Sequence, residues 1–182
     1  MLKLLFIIPS CLTIFIFALF LMIISSSSDM NLLNNKNFLL PFSADTPYQL
    51  TSGFGWRRDP FDQTDDFHQG IDLATNKGTN ILASASGTAY IVSNNKWYGN
   101  YIVLKHHFSN SVYYTVYMHL LDDSFQVKEN EIVEQGQTIG LVGSSGDSTG
   151  YHLHFSILKD KYIFDAEHLV DPSFVLENHV QD

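Results

Sequence analysis

Apolar and polar positions alternate along most of this chain with a period of two, which predicts strands. In the run 112–119, Val112, Tyr114, Val116 and Met118 fall on one face, with Tyr113, Thr115, Tyr117 and His119 on the other, as successive strand side chains must. His119 ends that run on its more polar face. In Gly150-Tyr151-His152-Leu153-His154-Phe155 the histidines stand at i and i+2, so they lie side by side while Leu153 and Phe155 point the other way, into a core. Ile81–Ala83, Thr88–Ser93, Tyr101–His106 and Gln137–Val142 read as further short strands, with Gly78, Gly87 and Gly99-Asn100 supplying turns. Near Tyr48–Trp56 a strand runs into a fixed turn at Arg57-Arg58-Asp59-Pro60. The polar stretch 122–136 includes a loop, and Ser144–Gly150 is a loop of small residues. Asp171-Pro172 resembles a helix start, with Asp as cap and Pro in the first turn. Short strands punctuated by glycine, with little helical period, predict an all-β, antiparallel domain.

The N-terminus follows a different pattern. Leu4 to Ile24 is an uncharged, predominantly apolar run of 21 residues, which as a helix spans roughly 30 Å, enough for a bilayer core. It exceeds the apolar core of a signal peptide, about 7–15 residues. Residues 1–24 are therefore predicted as an N-terminal transmembrane helix, with a signal cleaved near Ser25–Ser28 as the alternative. Lys3 and the terminal amine favour an inside N-terminus and send the rest of the chain out of the cytoplasm. Residues 25–47, rich in Ser and Asn, read as a flexible linker, within which Phe38-Leu39-Leu40 is compatible with a short packed piece.

Composition narrows the function classes. At 182 residues, 45% hydrophobic and 14% aromatic, the chain can bury a substantial core. A net charge of −9 argues against nucleic acid and offers no polybasic patch for anionic lipid. The single cysteine, Cys11, lies in the first apolar run, so no intrachain disulfide staples the fold.

Histidine carries the candidate chemistry. His68 and Asp72 are four apart and share a face, and Gly70 between them argues against a regular helix. With His119, His152 and His154 they form a set at strand ends and in glycine-flanked segments. Catalytic zinc sites take three protein ligands and leave a fourth position for water, and a His-Asp-His choice from these five fits that count. If the metal uses His68, Asp72 and His154, then His119 and His152 remain as bases near it. His106, His107, His168 and His179 receive no role, because a lone strand histidine is ordinarily a hydrogen-bonded or exposed polar residue.

These residues carry a resemblance. Ser52-Gly53-Phe54-Gly55-Trp56-Arg57 with Asp59-Pro60, Phe67-His68-Gln69-Gly70-Ile71-Asp72, Gly99-Asn100-Tyr101, Tyr117-Met118-His119-Leu120, Gly136-Gln137 and Ser148–Phe155 together resemble the lysostaphin/LytM-type zinc endopeptidases. Those enzymes cut peptide bonds in bacterial peptidoglycan. The resemblance covers roughly Leu50 to Pro172. It implies a peptidase domain over 48–172 followed by a C-terminal tail at 173–182, and an antiparallel β domain with a narrow groove over Zn2+. It also implies His68, Asp72 and His154 as metal ligands, and His119 and His152 as catalytic residues. Tyr151 stands where the family often has Pro, and Ser156 where it often has Glu. Neither change removes a ligand.

The implied reaction is hydrolysis of cross-link or stem peptides by a zinc-activated water. With no H-E-x-x-H glutamate available, the proton must pass to histidine. His152 is the expected base because it shares a face with His154. His119 then orients water or stabilises the oxyanion, although the two roles could be exchanged. Tyr117, on the face of His119, could assist. The implied partners are peptidoglycan peptides and the membrane through residues 1–24, and the implied location is the bacterial envelope. The alternative is a non-catalytic domain of the same fold that binds the wall or activates another hydrolase. Such members typically lack metal ligands, and here all five positions are filled.

Overall fold

The computed structural model describes residues 37–58, 64–108, 111–165 and 167–177. The expected transmembrane helix, at residues 1–24, lies outside them. Among the described residues no helix is long and apolar enough to cross a membrane.

The alternating runs become strands close to where the sequence places them. In chain order these are β1 (Gln49–Ser52), β2 (Gly55–Arg58), β3 (Asp65–His68), β4 (Ile71–Ala74), β5 (Asn80–Leu82) and β6 (Gly87–Asn95). There follow β7 (Gly99–Phe108), β8 (Ser111–Leu120), β9 (Ile132–Val133), β10 (Thr138–Leu141), β11 (His152–Lys159) and β12 (Leu169–Val170). The one helix among the described residues, α1 (Phe174–Glu177), starts just after Asp171, whose carboxylate accepts from the Ser173 amide at 2.9 Å. One antiparallel sheet has the order β1-β4-β11-β8-β7-β6-β9, with β12 also on β11. β2–β3 and β5–β10 form two small ladders beside it. The all-β, antiparallel expectation holds.

The sheet is apolar on both faces over much of its area. On one face Leu73 pairs with Leu153, Ile71 with Phe155, Phe155 with Tyr117, and Tyr117 with Ile102, and all are fully buried. Full burial of one such side chain contributes about 1.5–3 kcal/mol, so this row is a large part of what holds the sheet together. The other face packs Val103, Tyr114, Val116, Met118 and Leu158 under Tyr162 and Phe164.

Part of the stretch assigned to the linker belongs to this core. Phe38, Leu40 and Phe42 are buried, and the Phe38 ring meets His106, Phe108 and Tyr113 edge-on at 5.2–5.7 Å between centroids. Backbone bonds join Leu39 to Ser84 and Pro41 to Leu82. The reason is physical: three apolar side chains in five residues find uncovered surface on the face of β7 and β8, and burial outweighs the chain entropy of the short segment.

Candidate metal centre

The register sets a row of side chains across four strands. Ser52 on β1 faces Asp72 on β4, Asp72 faces His154 on β11, and His154 faces Met118 on β8. Because β11 alternates, His152 joins His154 on this face while Leu153 and Phe155 enter the opposite core. His68 ends β3 and is brought over the row by the turn at Gln69-Gly70. Gly70 is required there: a Cβ at this position would collide with the Phe155 carbonyl and lie 2.6 Å from Ser156 Oγ and 2.7 Å from His154 Nε2.

His119 reaches the cleft by a different route from the one alternation predicts. The Tyr117 face, where the sequence put it, is the dry side of the sheet. Between Tyr117 and Leu120 the register with β7 slips by one residue, and His119 takes a positive φ of 65°. A bulge of this kind re-aims one side chain out of the pleat. The His119 ring thereby stands 4.8 Å from His152 and 6.2 Å from His154 between centroids. Tyr117 is left behind, fully buried, its hydroxyl accepting from the Ser84 amide at 2.8 Å. It does not line the cleft, so the expectation that it assists is corrected. Tyr98 lines the cleft instead.

Three acceptor atoms converge. His68 Nε2, Asp72 Oδ1 and His154 Nδ1 are separated by 3.1, 3.2 and 2.9 Å. Both imidazoles have their other nitrogen engaged: His68 Nδ1 donates to the Gly53 carbonyl at 2.7 Å, and His154 Nε2 lies 2.9 Å from Ser156 Oγ. A carbonyl can only accept, so neutral His68 turns a lone pair inward. With Ser156 as acceptor, His154 does the same. Two lone pairs and a carboxylate oxygen at such range repel unless a cation joins them. Tetrahedral zinc with ligand bonds near 2.0–2.1 Å holds its ligand atoms about 3.3 Å apart, so the donor set fits such an ion after an opening of a few tenths of an ångström. Burial alone would raise the Asp72 pKa; when the inward nitrogens of His154 and His68 carry protons in place of lone pairs, their hydrogen bonds and charges hold it far below the carboxylate range. Burial lowers His154, opposed by its bond to Asp72.

The remaining pair stands beside the triangle. His152 Nδ1 donates to the Gly150 carbonyl at 2.9 Å, and its Nε2 lies 3.8 Å from Asp72 Oδ1. His119 Nδ1 donates to the Ser145 carbonyl at 2.8 Å. Burial pushes its pKa down to about 4, with the Ser145 carbonyl opposing and the neighbouring histidines adding to the shift. Each ring therefore offers an open acceptor at Nε2. The cleft above them has a volume of about 460 Å³. Its walls are β2–β3 on one side, and the turn with Trp97 and Tyr98 plus the loop Asp147–Thr149 on the other.

All five predicted residues thus gather at one place. Sequence reasoning missed the groups that orient them. The Gly53, Ser145 and Gly150 carbonyls carry no side-chain signal. Ser156 did have one, because it stands at i+2 from His154 and so on the same strand face.

Acceptors that need a cation, flanked by imidazoles able to take a proton, make a candidate metal site with proton-transfer groups beside it. The family is then defined by comparison: residues 66–171 match the model of Peptidase family M23, and the chain belongs to that family. It is 40% identical over 119 residues to peptidoglycan DD-endopeptidase ShyB of Vibrio cholerae, covering 65% of this chain and 27% of that protein. It is also 40% identical over 107 residues to the DD-carboxypeptidase/endopeptidase Mpg of Neisseria meningitidis, covering 59% and 24%. The chain thus matches about a quarter of the length of these relatives. Among solved structures, the catalytic domain of lysostaphin from Staphylococcus simulans superposes with a TM-score of 0.63 at 30% identity, covering 71% of this chain and 92% of that one. A zinc-containing peptidase from Vibrio cholerae gives 0.62 at 35% identity, covering 75% and 40%. The resemblance to lysostaphin/LytM-type peptidases holds.

Proposed function

We propose that the protein is a zinc endopeptidase that hydrolyses peptide bonds in peptidoglycan cross-links or stem peptides. The observation that carries this is the triangle of His68, Asp72 and His154, with His119 and His152 open-nitrogened beside it in one cleft. The relatives named as peptidoglycan endopeptidases support the substrate class. His68, Asp72 and His154 would hold the zinc, which when bound would supply Lewis acidity to a scissile carbonyl and to a water.

The chain's own residues do the rest. His152, nearest the triangle on its strand, takes the proton from the water and returns it to the leaving amine. His119, neutral near pH 7, accepts a hydrogen bond from that water at Nε2 and orients it. With a proton at Nε2 instead, it would donate to the developing oxyanion. The carbonyls of Gly150 and Ser145 hold the two tautomers in place. A location outside the cytoplasm, with residues 1–24 as tether, belongs to the same proposal and is supported by the apolar run alone.

The test uses the full-length chain on purified peptidoglycan, with metal analysis before and after a chelator. About one zinc per chain, with new peptide ends that vanish on chelation and return with zinc, is the expected result. Zinc-loaded protein that releases no peptide ends from any peptidoglycan would overturn the enzyme reading.

A further inference from the structure

Two adjacent arginines on β2 have different fates. Arg58 points outward and pairs with Asp65 on β3 at 3.3 Å. Arg57, half-buried, turns to the cleft. Among the described residues that line the cleft, Arg57 is the one lysine or arginine, against the carboxylates Asp66, Asp72 and Asp147. Among the described residues its ion-pair partner is Asp72, whose Oδ2 lies 4.0 Å from Nη1, too far for a hydrogen bond. The other Asp72 oxygen is already shared among the imidazoles. Arg57 Nε is buried and has no partner.

A guanidinium is a fork built to grip a carboxylate through two parallel N–H bonds. Here the fork is half-buried and has an unused Nε donor, and among the described residues its ion-pair partner, Asp72, stands off at 4.0 Å. The three acidic residues around the cleft repel a substrate carboxylate everywhere except near Arg57 and the metal. Arg57 stands 4.0 Å from Asp72, itself a candidate ligand, so a carboxylate it holds sits beside the metal site and belongs to a residue next to the reacting carbonyl.

Resting on the hydrolase reading above, we propose that Arg57 binds a free carboxylate of the substrate. That carboxylate belongs to the residue on the amine side of the bond that is cut. The preferred substrate class is then a peptide or cross-link whose scissile nitrogen sits on a carbon bearing a carboxylate. A linkage whose corresponding group is amidated is a poor substrate.

The experiment uses the zinc-loaded full-length chain and two synthetic peptides, identical except that this group is a free acid in one and a primary amide in the other. Wild type is expected to favour the acid by about 10–100-fold in kcat/KM, the range of one hydrogen-bonded charge pair. Arg57→Gln should lose this preference, by falling on the acid rather than gaining on the amide, with zinc content unchanged. Arg57→Lys should keep part of it, and Arg58→Gln, with Arg57 intact, should keep all of it. Titration of both peptides into the His152→Ala chain reads binding without turnover, and there too the preference should disappear when Arg57→Gln is added. Equal treatment of acid and amide by wild type, or a preference that survives Arg57→Gln, overturns the proposal. Acid-selective binding that depends on Arg57, without cleavage of either peptide by wild type, supports it and sinks the hydrolase reading instead.

Discussion

Two sets of buried histidines occupy opposite faces of one sheet, and they differ in a single respect. His106 on β7 is fully buried, and both of its nitrogens are engaged. Nδ1 donates to the Ser86 carbonyl at 2.9 Å, and Nε2 meets Thr115 Oγ1 at 2.8 Å, which continues to the Tyr117 hydroxyl at 3.0 Å. His119, in the cleft, is also buried, and its pKa is likewise driven to about 4, as is that of His106. Depressed basicity therefore does not separate a histidine that serves the core from one that lines the cleft. What separates them is the second nitrogen: in His106 it closes a hydrogen-bond chain, and in the cleft rings it is left open toward a carboxylate or toward solvent.

The comparison breaks most visibly at the ligands. Asp72→Ala and His154→Ala should each remove the metal and all zinc-dependent hydrolysis while the far-UV circular dichroism stays that of the wild-type sheet. Metal analysis of the purified variants checks this, and a full complement of zinc in either would mean that the triangle is not the site. His119→Ala and His152→Ala should keep the metal and lose about 10²–10⁴ in kcat, the usual contribution of a positioned proton-transfer group. A variant of either residue that turns over near the wild-type rate removes that histidine from the mechanism.

His106 should behave in the opposite way. His106→Ala opens a cavity under Phe38 and strands Thr115 and the Ser86 carbonyl, costing about 3–5 kcal/mol of unfolding free energy while zinc affinity is unchanged. Denaturant melts paired with zinc titration give both numbers. Acid should sharpen the contrast. Burial, opposed by the Ser86 carbonyl and helped by His107, lowers the His106 pKa from its ordinary 6.5 to about 4, so the fold favours the neutral ring. The stability this lends is complete above pH 6.5 and is lost as the pH falls toward 4. The gap in stability between wild type and His106→Phe should shrink over that window by on the order of 3 kcal/mol. The cleft histidines titrate alike in both proteins and cancel. A gap that stays constant with pH would show that His106 does not carry this share.

Much of this was readable from alternation. The i, i+2 spacing of His152 and His154 placed both on one face because β11 is regular, and His68 and Asp72 met because Gly70 allows a tight turn over Ser156. His119 was placed on the wrong face for the same reason that the others were placed correctly. A period-two pattern assumes an unbroken ladder, and the bulge before Leu120 with its positive φ leaves no mark in the residue types. Phe38, Leu40 and Phe42 were hidden by their Ser- and Asn-rich surroundings, since whether a short apolar run docks depends on uncovered surface made by residues far along the chain. Arg57 and Arg58 look alike in sequence, and the pleat of β2 alone decides which faces the cleft.

The gentlest test of the comparison concerns a residue that makes a cleft histidine resemble His106 on one side. Ser156 is fully buried, and its hydroxyl holds His154 Nε2, much as Thr115 holds the His106 ring. That contact fixes which nitrogen faces Asp72 and the candidate metal site. Partners of this kind typically change metal affinity by about 10–100-fold when removed. Ser156→Ala should therefore raise the zinc dissociation constant within that range and leave the melting of the metal-free chain nearly unchanged, because the methylene still packs over Gly70. Competition of the variant against a chromogenic chelator measures the shift. An affinity within about twofold of wild type, outside the range expected of such a partner, would mean that the ligand is oriented by Asp72 and the strand alone, and that a serine here has no hold on the metal.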